Sequence, residues 1–126
     1  PFQVIGSPAL KDFFQFQFTP RSLKGFDKHP LHQNQACFGL DLRTKKELPQ
    51  GFSLKYLLQF YQLYQKQYPD AEKRFFSRSQ WFDLLMGTSQ VRKDILQGKT
   101  ESEIRQAWEK DLQAYRSLRE KYLLYE

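Results

Sequence analysis

A chain of 126 residues, 40% hydrophobic and 17% aromatic, has enough apolar material for one hydrophobic core, and this argues against disorder despite 27% charged residues. The net charge of +6 comes without a Lys/Arg run longer than pairs such as Lys45-Lys46 and Lys73-Arg74, so nothing in the chain reads as a track for a nucleic-acid backbone. The single cysteine, Cys37, excludes an intrachain disulfide framework, and no apolar run reaches the length of a membrane span or reads as a signal peptide.

The first fifty residues read as strands and loops. Phe2 to Ile5 is a β-prone run stopped by Gly6-Ser7-Pro8. Phe14-Gln15-Phe16-Gln17-Phe18 alternates ring and amide, the pattern of a half-buried strand, and Thr19-Pro20 ends it because proline donates nothing to a ladder. A loop follows, with Gly25, His29-Pro30 and the polar run His32-Gln33-Asn34-Gln35. Ala36 to Leu42 is the next strand, in which Gly39 predicts a bulge or the close approach of another backbone. Lys45 to Gly51 is a polar connection.

From Ser53 the period becomes helical. Leu54, Leu57, Leu58, Tyr61, Tyr64 and Tyr68 share one face, with Ser53 as N-cap and Pro69 as stop. Asp70 to Arg78 reads as a charged connection. Ser79 caps a short helix through Met86, closed by Gly87; Thr88 caps another through Gln97, closed by Gly98. Thr100-Glu101-Ser102-Glu103 spells a capping box for a last helix with Ile104, Ala107, Trp108, Leu112, Tyr115, Leu118 and Tyr122 on one stripe. The apolar ending Tyr122-Leu123-Leu124-Tyr125 predicts a terminus docked on the core. The fold class is α+β: short strands in the N-terminal half, and three to four helices in the C-terminal half ending in a long amphipathic one. The whole of 1–126 reads as one domain.

Catalytic constellations are scarce. There is no nucleophile elbow, no phosphate-cradling glycine loop and no HExxH. His29 and His32 are separated by Pro30, which opposes a helix presenting both to a metal, so neither a metal nor another cofactor is expected. Glycoside hydrolysis needs two carboxyl groups across the scissile bond, and no such pair is visible. Asp83 falls in the first turn of a helix, where the dipole favours an anion without any catalytic role. Asp41 is set apart by lying in a strand, on the face of Cys37 and Gly39. The better ligand candidates are Phe18-Thr19-Pro20-Arg21 and Asn34-Gln35-Ala36-Cys37. Their amides and hydroxyls suit sugar hydroxyls and an N-acetyl group, and Arg21 suits a carboxylate. The same residues also serve ordinary turns.

Several of these segments, in this order, carry a resemblance. Pro1 to Pro8, Phe18-Thr19-Pro20, Cys37-Phe38-Gly39-Leu40-Asp41, Trp81 to Gly98, Ile104, Trp108 and Tyr122 to Tyr125 together resemble the C-terminal part of bacterial exo-β-N-acetylmuramidases. Those cell-wall glycosidases remove N-acetylmuramic acid from the non-reducing end of peptidoglycan fragments. The resemblance implies that the catalytic acids lie in a Rossmann-like N-terminal domain, which is the expected partner and is absent here. This chain would close one side of the substrate cleft, and no catalytic residue carries over to it. It further implies that Phe18, Thr19, Pro20, Asn34 and Cys37 lie near the domain interface or the substrate cleft, that a peptidoglycan-derived sugar is the ligand, and that the parent is exported to the periplasm or cell envelope. The lack of an initiator methionine before Pro1 reads as a fragment. The alternative reading is a non-catalytic module binding glycan or another protein.

Overall fold

The β-prone segments of the first half pair into a three-stranded antiparallel sheet of order β1-β3-β2, where β1 is Val4–Ser7, β2 is Gln17–Phe18 and β3 is Cys37–Asp41. Five helices follow: α1 Lys55–Gln67, α2 Ala71–Phe75, α3 Ser79–Met86, α4 Gln90–Leu96 and α5 Glu101–Glu120. The chain is α+β, as the change of period at Ser53 predicts. The structure, a computed structural model, describes residues 3–46 and 49–123. Phe2, part of the Lys45–Gly51 connection, and Leu124-Tyr125 of the apolar ending lie outside the described residues.

The chain divides into two compact units, one of Pro1–Ser53 with Gln59–Ala71 and one of Leu54–Leu58 with Glu72–Glu126. In the first, β3 is the central strand. It faces β1 in the register Ile5↔Leu40 and Gly6↔Gly39, and β2 in the register Phe18↔Cys37. Gly39 answers to the close approach expected of it: a Cβ built there would collide with the Ile5 carbonyl oxygen and stand 2.6 Å from the Gly6 Cα. The Phe14–Phe18 pattern keeps its alternation, rings half-buried and amides exposed, but only Gln17–Phe18 joins the ladder. Phe14 leaves the sheet to stack on Phe60 of α1, with ring centroids 5.5 Å apart. That contact explains why Phe60, off the stripe read from the sequence, is buried. Leu10, Cys37, Phe60, Tyr61 and Ala71 form this unit's apolar core, and Ser7 Oγ lies 2.7 Å from the Tyr64 hydroxyl.

In the second unit the helix ends follow local chemistry, with corrections. Ser79 is the first residue of α3 rather than its cap; Arg78 holds that position, with no side-chain bond. Thr88 does not cap α4 either. Ser89 stands at the N-cap, and the Thr88 hydroxyl accepts from the Gln90 N–H at 3.1 Å, a side-chain turn one step earlier. The two glycine closures form as read, with Gly87 at φ 75° and Gly98 at φ 78°. After α4 the Gly98 N–H donates to Ile95 O and the Lys99 N–H to Asp94 O, the paired bonds of a Schellman motif.

Helix α2 corrects the reading of Asp70–Arg78 as a connection; at five residues it is too short to show an apolar period, and Glu72 with Lys73 and Arg74 suit its dipole. Glu101 contributes a contact that no local pattern announces: its carboxylate accepts from the Leu54 N–H at 2.9 Å, just before α1. Leu54, Phe76, Val91, Ile95 and Ile104 make up this unit's apolar core.

The capping box of α5 is complete, Thr100 N–H to Glu103 Oε2 at 2.8 Å and Glu103 N–H to Thr100 Oγ1 at 3.3 Å. Thr100→Ala is therefore expected to cost about 1 kcal/mol. A thermal melt of the variant should fall by roughly 4 °C, whereas Thr100→Ser should melt with the parent chain. The stripe of α5 is helical as read, but its burial is not as the pattern suggests. Ile104 is buried and Trp108 half-buried, while Leu112, Tyr115 and Leu118 are exposed, as are Tyr122 and Leu123 beyond the helix.

Candidate functional site

β2 and β3 are joined by an unusually long loop, Thr19 to Ala36, and a segment of this length without regular structure is where binding function concentrates in compact folds. Its two ends are held together. Phe18 faces Cys37 across the ladder, and two residues further out the Asn34 N–H donates to the Pro20 carbonyl at 2.8 Å. Inside the loop the backbone folds on itself: Leu23 N–H to Asp27 O, Phe26 N–H to Leu23 O, Gln33 N–H to Pro30 O and Gln35 N–H to His32 O. The Asp27 carboxylate accepts from the His29 N–H at 2.9 Å, an Asx turn. His32 and Asn34 both sit in left-handed backbone, at φ 58° and 60°.

The neck brings together four of the residues singled out from sequence, Phe18, Pro20, Asn34 and Cys37, from segments sixteen residues or so apart. Phe18 is half-buried, its ring 6.0 Å from that of Phe16 and packed against the Gly6 backbone. Cys37 is 1% exposed and its thiol points at the Gln35 carbonyl, 3.7 Å away. Burial pushes that thiol's pKa up, so Cys37 is a neutral wall of the neck and no nucleophile. Thr19, Arg21 and Asn34 are exposed at the mouth, where their side chains are open to solvent.

Asp41 is placed elsewhere. It lies at the far end of β3, four residues from Cys37 or roughly 13 Å along the strand, and is occupied locally. Its carboxylate takes a two-pronged bond from Arg43, Nε at 2.8 Å and Nη2 at 2.7 Å, and accepts the Arg43 N–H at 3.0 Å to start the single helical turn Leu42–Thr44. The Arg43 hydrogen bonds hold the carboxyl below the usual range.

Two further carboxylates, Asp83 and Asp94, are likewise tied to cations. Asp83 is paired with Arg92 at 2.9 and 2.7 Å, which lowers its pKa. Asp94 is 1% exposed and accepts from Lys99 Nζ at 2.9 Å and Gln90 Nε2 at 2.8 Å; the lysine bond foremost lowers its pKa. Each is an anion at neutral pH, so none is poised as a general acid. Among the described residues no three His, Cys, Asp or Glu side chains gather as a metal site, and no helix is long and apolar enough to cross a membrane.

Sequence reasoning missed the apolar content of the loop. Leu23, Phe26 and Leu31 are 56%, 79% and 80% exposed, beside the cationic Arg21, Lys24 and Lys28. The signal was present in the spacing of large apolar residues within a stretch rich in Gly, Pro and His, but no periodicity drew attention to it.

Comparison with known proteins places this geometry. Residues 1–125 match the family described as exo-β-N-acetylmuramidase NamZ, C-terminal. Among solved structures, a crystal structure of a DUF1343 family protein from Bacteroides fragilis NCTC 9343 superposes with a TM-score of 0.77 at 36% identity, over 100% of this chain and 34% of that one. The chain thus spans about a third of the length of that protein. No curated protein matches.

Proposed function

We propose, from the premise that this chain belongs to the family of C-terminal domains of exo-β-N-acetylmuramidase NamZ, that it is the accessory domain of a peptidoglycan exo-glycosidase and shapes the cleft for a terminal N-acetylmuramic acid. The family match over residues 1–125 carries the reading. The local chemistry is consistent with it. The carboxylates Asp41, Asp83 and Asp94 are paired with neighbouring cations and are not poised as general acids, which fits catalytic acids supplied by a separate catalytic domain. The 19–36 loop offers what an accessory domain needs: hydroxyl and amide groups on Thr19 and Asn34 for a sugar, and the Arg21 guanidinium for the lactyl carboxylate. Its exposed Leu23, Phe26 and Leu31 form the surface covered by the catalytic domain. Such an enzyme acts on exported substrate, which puts the parent in the periplasm or cell envelope and assigns it to wall recycling.

The test is an NMR titration with a disaccharide bearing non-reducing N-acetylmuramic acid. Shifts are expected at Phe18–Arg21 and Asn34–Cys37. Arg21→Ala should weaken binding about tenfold, the share of one charge-assisted bond pair. A dispersed spectrum that stays unmoved at saturating sugar would remove the cleft from this chain.

A further inference from the structure

A second feature lies on the helical unit. Ser77, Arg78, Ser79, Gln80, Trp81 and Leu84 line a concavity of ≈ 440 Å³ where α3 begins. A second hollow of ≈ 450 Å³ shares Gln80 and Leu84 with it and is completed by Asp83, Gly87 and Thr88, the Asp83 carboxylate being paired with Arg92. Trp81 is 61% exposed and Leu84 75%. The nearby ring cluster of Phe75, Phe76 and Phe82 packs edge to face without the indole. Arg78 is exposed and, among the described residues, makes no ion pair, whereas Arg92 in the same unit is spent on Asp83.

We infer that this groove is a carbohydrate-binding subsite for a pyranose carrying a carboxylate. An exposed indole at the wall of a hollow presents a flat, electron-rich face, and the axial C–H bonds of a pyranose are the weakly polarised partner such a face takes. The polar lining is of the matching kind. The hydroxyls of Ser77 and Ser79 and the amide of Gln80 supply neutral donors and acceptors, with no carboxylate among the lining residues of the first hollow to repel an anion. The guanidinium of Arg78 supplies the one full charge, in a fork that fits a carboxylate. The continuation along α3 leaves room for a second ring beyond the one stacked on Trp81. This site shares no residue with the 19–36 loop, so it stands or falls separately from the cleft proposed above.

The experiment is an NMR titration of the chain with methyl β-D-glucuronide and, in parallel, methyl β-D-glucoside, two ligands that differ only at the carboxylate. The expected result is movement of the Trp81 indole N–H and of the Ser77–Gln80 amides, with the Trp108 indole still, and tighter binding of the glucuronide by about fivefold or more. Trp81→Ala should weaken both ligands at least tenfold. Arg78→Gln should erase the preference and leave the glucoside unchanged. Both side chains are exposed, so the variants keep the fold, and their unchanged amide spectra outside α3 verify it. A Trp81 indole that does not move at tens of millimolar ligand would overturn the inference, as would equal affinity for the two glycosides. Shifts confined to Phe18–Cys37 would overturn it while leaving the cleft reading intact.

Discussion

Gly39→Ala is expected to destabilise the sheet by about 3 kcal/mol or more, the upper end of the overpacking range. The reason lies in what the new methyl group would meet. Its neighbours are the Ile5 carbonyl and the Gly6 Cα, backbone atoms of the paired strand, and backbone cannot swing aside as a long side chain can. β3 is central, so separating it from β1 also strains its other edge, where the Gly39 N–H donates to Phe16 O at 3.1 Å. A midpoint shift in urea at unchanged slope measures the loss. Gly6→Ala should cost less. There too the nearest atom is backbone, the Phe38 carbonyl oxygen at 2.5 Å, but the overlap is smaller than at Gly39, and the next neighbour, the Phe18 ring at 2.8 Å, can turn away. Because Gly6 and Gly39 face each other in register, the double variant should fall short of the sum. A Gly39→Ala chain as stable as the parent would mean that the two strands do not cross this closely.

Asp94→Ala should remove about 2–3 kcal/mol, the worth of hydrogen bonds to a charged group whose partners are then left unmatched. The carboxylate is 1% exposed and joins the first turn of α4, through Gln90, to Lys99, just past the Gly98 closure. Lys99→Met should cost only about 1 kcal/mol, since the ammonium stem is 41% exposed and its pairing is screened by solvent. The sign of the pH effect follows from the lowered pKa. A carboxyl that binds its proton less readily when folded contributes stability that is complete above its unfolded pKa, near 4, and that drains away as the pH falls through the folded value. Asp41 and Asp83 are shifted in the same direction by Arg43 and Arg92. Denaturation midpoints should thus be flat from pH 7 to about 5 and decline below about 4, and the decline should be shallower in Asp94→Ala. An equal acid slope in parent and variant would show that Asp94 carries no such linkage.

How much of this was legible depended on the reach of each interaction. The capping box at Thr100–Glu103 and the closures at Gly87 and Gly98 were readable because their partners lie within a few residues. The α+β order was readable from the change of period at Ser53. Gly39 was readable as a close approach, but not which backbone approaches it, because Gly6 is 33 residues away. The same limit explains β2: alternation from Phe14 to Phe18 describes which side chains are covered, whereas a ladder needs a partner in register, and β3 pairs so with Gln17 and Phe18 while reaching Phe16 by a single bond. In the candidate site, residue types were legible and proximity was not. Nothing local joins Pro20 to Asn34, nor does spacing reveal that Asp41 would be claimed by Arg43. The family resemblance of the Trp81–Gly98 stretch and its neighbours told more about role than any single motif did, and the match over residues 1–125 bears it out.

Helix α5 has a consequence for where the chain tolerates change. From Glu109 to Glu120, about three turns, every residue is exposed, so these turns lean on no core. Their ion pairing is sparse and loose, with Arg116 and Glu109 4.0 Å apart. Sequence drift in these turns is therefore nearly free of a folding penalty, provided helix formers are kept. A lineage could revise what this rod adheres to, or an engineer attach a label or a fused domain, without touching Ile104 and the packing that fixes the helix at its other end.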